Sequence, residues 1–163
     1  MKLKKSYIGI DPGAKGGVSL VHRGRLISSN HCPDTVERMN KLIENLCKPS
    51  DDISNWTVAD KIECYIENVW AFPTDMRSSA FKFGKNFGIW LGILAGNHIN
   101  TTLVSPQVWQ KYYGELPKVK KDRKNKLKSI ASKKSGTKAT LATADSILIA
   151  YYGYEKEKEE TNG

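Results

Sequence analysis

Three carboxylates stand out by where the sequence puts them. Asp11 ends the apolar run Tyr7, Ile8 and Ile10 just before Pro12 and Gly13 turn the chain, and Glu67 ends IECYIE in the same way. Asp145 sits in a segment otherwise carried by Leu141, Ala144, Leu148 and Ile149. A carboxylate buried without a partner is costly, so each should face a cleft, a cation or a donor. Taken alone, Asp11 fits a turn cap as well as a functional group, since Asp is common in turns. As a set, the three suit hard divalent cations, which take oxygen ligands and keep substrate phosphates in their remaining positions. Clustered carboxylates repel, which raises their pKa values until a metal relieves the repulsion. In a basic protein such a donor set points to phosphodiester hydrolysis.

The charge is unevenly spread. The formal excess is +9 over 163 residues, and the segment 118–138 holds all of it, with ten basic residues against Asp122 alone. Such a segment suits a polyanion, or else is a solvated lysine-rich loop. Cys32, Cys47 and Cys64 show no ligand spacing and read as reduced thiols. No apolar run reaches the roughly 18 residues of a membrane span, and the N-terminus MKLKKSYIGID does not make a signal peptide. A cytoplasmic protein is expected.

The elements that must position these groups follow from periodicity. Tyr7–Asp11, Val18–Val21 and Leu26–Asn30 predict an antiparallel meander, and Ile62–Glu67 and Asn100–Val104 two further strands. A helix is expected over 35–47 with Asp34 as its N-cap, and the segment 50–61 reads as a loop. Ser78–Gly96 predicts a long helix with an apolar stripe of Ala80, Phe83, Phe87, Trp90, Leu91 and Leu94. Its second stripe, Gly84, Gly88, Gly92 and Gly96, lets another backbone approach, from this chain or from a partner subunit. Ser105 and Pro106 start a short helix to Tyr113, the basic segment is helical around Arg123–Ser132, and a last helix runs from about Lys138 to a stop at Gly153. Residues 1–153 thus form one domain and 154–163 a frayed acidic tail. Trp70 and Phe72 follow Glu67 in a loop, where they either stack on bases or plug the core.

The motifs IGIDPGAKGG at Ile8–Gly17, IENVW at Ile66–Trp70 followed by SSAFKFGKNFG, and ADSILIAYYG at Ala144–Gly153 resemble, in order and spacing, the RuvC family of Holliday junction resolvases in the ribonuclease H-like superfamily. The resemblance implies an α/β fold with a central mixed five-stranded sheet flanked by helices, a homodimer, and paired nicking of four-way DNA junctions in Mg²⁺ or Mn²⁺ to leave 5′-phosphate and 3′-hydroxyl ends. It implies that Asp11 bridges two ions, with Glu67 and Asp145 completing one each. Lys124 or Lys126 would stand by the cleaved phosphate. Trp70, Arg77, Lys82, Lys85, Lys118, Lys120, Lys121, Arg123 and Lys128 would contact DNA, and Phe81, Gly84, Gly88 and Gly92 would form the dimer interface. A bacterial cytoplasm, or a host cell if the source is a phage or virus, is the implied setting.

One position departs from the family pattern. A further Asp or His is expected about one turn before Asp145, where this chain has Leu141 and Ala142. A broader branched-DNA nuclease and a junction-binding protein of weak catalysis therefore stand beside the resolvase reading. An actin-like or sugar-kinase ATPase is disfavoured, since the chain has no duplicated domain or second phosphate loop.

Overall fold

The computed structural model describes residues 5–48, 61–68 and 76–162. In chain order the elements are β1 (Lys5–Asp11), β2 (Gly17–His22), β3 (Arg25–His31), α1 (Val36–Leu46), β4 (Lys61–Glu67), α2 (Arg77–Gly96), β5 (Asn100–Val104), α3 (Pro106–Tyr112), α4 (Lys120–Ser135) and α5 (Ala144–Asn162). The five strands form one sheet in the order β3-β2-β1-β4-β5. The meander β1-β2-β3 is antiparallel, and β4 and β5 add to it in parallel. The mixed sheet expected from the resemblance is therefore present, with β1 in the middle.

Alternation along the strands sends successive side chains to opposite faces. Ile8, Ile10, Val18, Leu20, Cys64 and Ile66 join Met39, Ile43, Trp90 and Leu94 in a core under α1 and α2. On the other face, Val21, Trp109, Leu127, Ala131, Leu148 and Tyr152 pack α3, α4 and α5 together. Asp11 and Glu67 belong to this second face, because Gly9 meets α5 and Tyr65 stacks edge-on with Tyr152.

The last helix differs from expectation at both ends. It begins at Ala144, after a turn in which Thr140 and Thr143 exchange side-chain to backbone hydrogen bonds of 3.1 and 3.2 Å. It passes through Gly153 to Asn162, because that glycine is there for contact: a Cβ would lie 2.5 Å from the Tyr65 ring. The expected frayed tail is helix, tied back by Glu157, which accepts from Lys5 and from the Tyr7 hydroxyl. At α1, Thr35 rather than Asp34 is the N-cap, accepting from the Arg38 N–H at 3.3 Å, while Asp34 pairs with the Arg38 guanidinium. The basic helix α4 is longer than expected and ends at Gly136 in the left-handed conformation. Trp70, Phe72 and residues 50–60 of the predicted loop lie outside the described residues, while the last residue of that loop, Lys61, opens β4. Among the described residues, no helix is long and apolar enough to cross a membrane.

Gly9 sets how closely α5 lies on the sheet. A Cβ there would overlap the Ser146 carbonyl and the Ala150 backbone, with Ala150 Cα at 2.9 Å. Backbone cannot yield as a side chain can, so Gly9→Ala is expected to destabilise the protein by about 3 kcal/mol or more, read as a lower urea midpoint in equilibrium unfolding.

Candidate active site

Asp11 and Glu67 meet because their strands are parallel neighbours. Ile10 is in register with Ile66, and the next residue in each strand is the carboxylate. Asp145 comes from the first turn of α5, which crosses the same face over Gly9. That turn is pinned to β2, with Ser146 Oγ lying 2.7 Å from Ser19 Oγ. Gly16 closes the loop after β1 against Asp11, where a Cβ would sit 2.8 Å from the carboxyl carbon.

The three carboxylates line one cleft of about 550 Å³. Its other wall is α4, which offers Lys120, Arg123, Lys124 and Leu127, a set at i, i+3, i+4 and i+7 that shares one helix face. Leu127 is buried and seats the helix, so the three basic groups face inward. Lys124 Nζ stands 3.8 Å from Asp145 Oδ2. Lys126 is exposed and does not line the cleft, whereas Lys124 does.

Each carboxylate carries a partial compensation. Asp11 Oδ1 accepts from the Gly13 N–H at 3.2 Å, and Glu67 Oε2 accepts from the Trp109 indole N–H at 2.7 Å. These donors do not cancel the cost of burial. Burial, and then the charge of Asp11, push Glu67 up to about 7 against the pull of Trp109 and Lys124. Asp145 rises to about 6 for the same two reasons, opposed by Lys124 and Arg123. Asp11 is raised by burial, with the Gly13 N–H and Lys124 working the other way. Among the described residues, no three His, Cys, Asp or Glu side chains group tightly enough to hold a single ion.

No family model and no curated protein matches this sequence. Solved structures do. Thermus thermophilus RuvC in complex with its Holliday junction substrate superimposes with a TM-score of 0.62 at 16% identity, over 96% of this chain and 97% of that one. The fold is that of RuvC. A second Thermus thermophilus RuvC structure agrees, with a TM-score of 0.59 at 17% identity over 96% and 97% of the two chains. The match spans nearly the whole of both chains, so the RuvC-like α/β fold with a mixed five-stranded sheet expected from the three motifs is present.

Within this RuvC fold, several predicted site residues stand apart from the cleft. Lys118, Lys121 and Lys128 do not line it, and Lys82 and Lys85 border a separate groove between α2 and the start of α1. Arg77 is exposed at the start of α2. Along the glycine stripe, no atom of this chain's other described elements comes within 4 Å of a Cβ built at Gly84, Gly88, Gly92 or Gly96, so packing among the described residues does not account for it. Phe81 is 73% exposed beside it. Leu141 and Ala142 supply no ligand, and the Ala142 carbonyl abuts Gly17.

Sequence reasoning missed Trp109, Lys15, Gln110 and the role of Phe83. Trp109 is fully buried, and only its bond to Glu67 separates it from an ordinary core tryptophan. Phe83 was expected in the apolar stripe of α2; it lines the cleft instead.

Glu67 binds its proton more tightly folded, near 7, than at its ordinary 4.5. The folded state therefore holds more protons than the unfolded one across that window, and stability falls as pH rises through it. In chelator, unfolding free energy is expected to decline from about pH 4.5 to 7 more steeply for the wild type than for Glu67→Gln. Urea titrations at several pH values check this.

Proposed function

We propose that this chain is a metal-dependent DNA endonuclease selective for four-way junctions, which it cuts by paired nicks as a homodimer. The observation that carries the reading is the cleft itself: three carboxylates from β1, β4 and α5 on one side and Lys120, Arg123 and Lys124 on the other, in a chain with the fold of RuvC. One solved relative of that fold has a Holliday junction as its substrate.

The donor set fits divalent ions such as Mg²⁺ or Mn²⁺. It offers only hard carboxylate oxygens, and Glu67 and Asp145 hold their protons well above the usual carboxylate range because burial, and then the charge of Asp11, disfavour the ionised form. Asp11, Glu67 and Asp145 would hold such ions between them, each ion needing a pair of these carboxylates rather than a tight group of three. When bound, such ions supply Lewis-acid activation of water and stabilise a leaving 3′ oxygen. The chain's own residues do the rest. Trp109 fixes the rotamer of Glu67, and the Gly13 N–H fixes that of Asp11. Lys124 stands where it can hold a phosphate oxygen beside Asp145, and Lys120 and Arg123 continue the positive wall along α4. Those cations meet the phosphate backbone without reading sequence.

The homodimer rests on α2. Its exposed glycine stripe and Phe81 form a face that a second copy would cover, and a symmetric dimer matches a junction with two like cutting sites. A second reading, a junction-binding protein of weak catalysis, is favoured by Leu141 and Ala142, where no ligand is present.

Cleavage of an end-labelled four-way junction beside a matched duplex in Mg²⁺ tests the proposal. Paired symmetric nicks on the junction are expected, with activity abolished by Asp11→Asn and reduced at least about hundredfold by Lys124→Ala but little changed by Lys126→Ala. Equal cutting of duplex would indicate a broader nuclease. Tight junction binding without cutting, reversed by Ala142→Asp, would favour the second reading.

A further inference from the structure

Phe83 is in the wrong place for a core residue. It lies on α2 one turn before Phe87, which packs in the core under α1 and α2, yet Phe83 itself packs against neither core cluster. Its half-buried ring instead lines the cleft that holds Asp11, Glu67 and Asp145. Trp109, by contrast, has a structural reason for its place beside this cleft, since its indole N–H donates to Glu67.

The ring is also held in register with the carboxylates. Asn86, one turn further along α2, donates its side-chain amide to the Pro12 carbonyl, in the loop that leaves Asp11. Phe83 and Asp11 are thus linked through a helix and a short loop. A cleft of about 550 Å³ falls within the usual range for small-molecule sites, roughly 300–1,000 Å³, and accommodates a nucleotide unit. A half-buried ring that lines a cleft beside groups that would handle a phosphate is placed to meet what that phosphate carries, a sugar and a flat base. Aromatic rings stack on any base, so such a contact adds affinity without strict sequence choice.

We propose that Phe83 forms a nucleobase-stacking site next to the carboxylate cleft, which takes a base that has left the helical stack beside the phosphate to be cut. The proposal rests on the nucleic-acid reading of the cleft. In an intact duplex both faces of each base are covered by neighbours, so the site discriminates in favour of DNA that offers an unstacked base, as at a branch point.

Photocrosslinking tests it. A four-way junction carrying 5-iodouracil at single positions around the branch is bound to the full-length protein in chelator, irradiated, and the crosslinked residue is identified by mass spectrometry. Phe83 is expected to crosslink from one or two adjacent positions. Phe83→Leu keeps the bulk and apolarity but loses the flat ring, and should weaken junction binding roughly tenfold while leaving the salt dependence unchanged; Phe83→Tyr should restore binding. Salt-dependent junction binding with no crosslink at Phe83, or with Phe83→Leu binding as tightly as wild type, overturns this inference alone. Absence of any junction binding overturns it together with the nucleic-acid reading.

Discussion

Confinement of three like charges in one cleft is the constraint on which the rest of the structure depends. Asp11 and Glu67 are brought side by side by parallel register, and Asp145 is laid across them by α5. Each close approach around them is made by a residue with no side chain in the way: Gly9 under α5, Gly16 behind the Asp11 carboxyl. The donors on hand, the Gly13 N–H, the Trp109 indole and Lys124, are too few to hold all three ionised near neutrality. Burial and mutual repulsion leave a deficit of positive charge at that point, which the proposed divalent cations would meet.

The second consequence concerns α4. A helix with this much lysine would have no reason to pack if its apolar residues were scattered. Leu127 and Ala131, one turn apart, seat it on the α5 side of the sheet, and that phase turns Lys120, Arg123 and Lys124 toward the carboxylates. Lys126, two residues from Lys124, is carried to the opposite side. Charge on the remaining faces of α4 remains available to a long polyanion, whose affinity would then depend strongly on salt.

Much of this was legible in the sequence. Alternation and carboxylate-ended strands marked β1 and β4, the three motifs pointed to a mixed five-stranded sheet, and Asp145 was conspicuous on an apolar helix. What escaped has physical reasons. Trp109 and Phe83 occupy positions where helical spacing makes an aromatic look like core, and only tertiary contacts show that one holds a carboxylate and the other faces a cleft. Gly153 reads as a helix stop from local conformation, whereas it serves the approach of the Tyr65 ring. The choice between Lys124 and Lys126 depends on the rotation of α4 about its own axis, which two buried contacts set.

Convergence of Asp11, Glu67 and Asp145 on divalent cations is tested most directly by anomalous scattering from crystals grown with Mn²⁺. Two peaks are predicted in the cleft, one between Asp11 and Glu67 and one between Asp11 and Asp145. A cleft without Mn²⁺ in crystals that bind it elsewhere, with the three carboxylates ordered, would contradict the assignment of these residues as a metal centre.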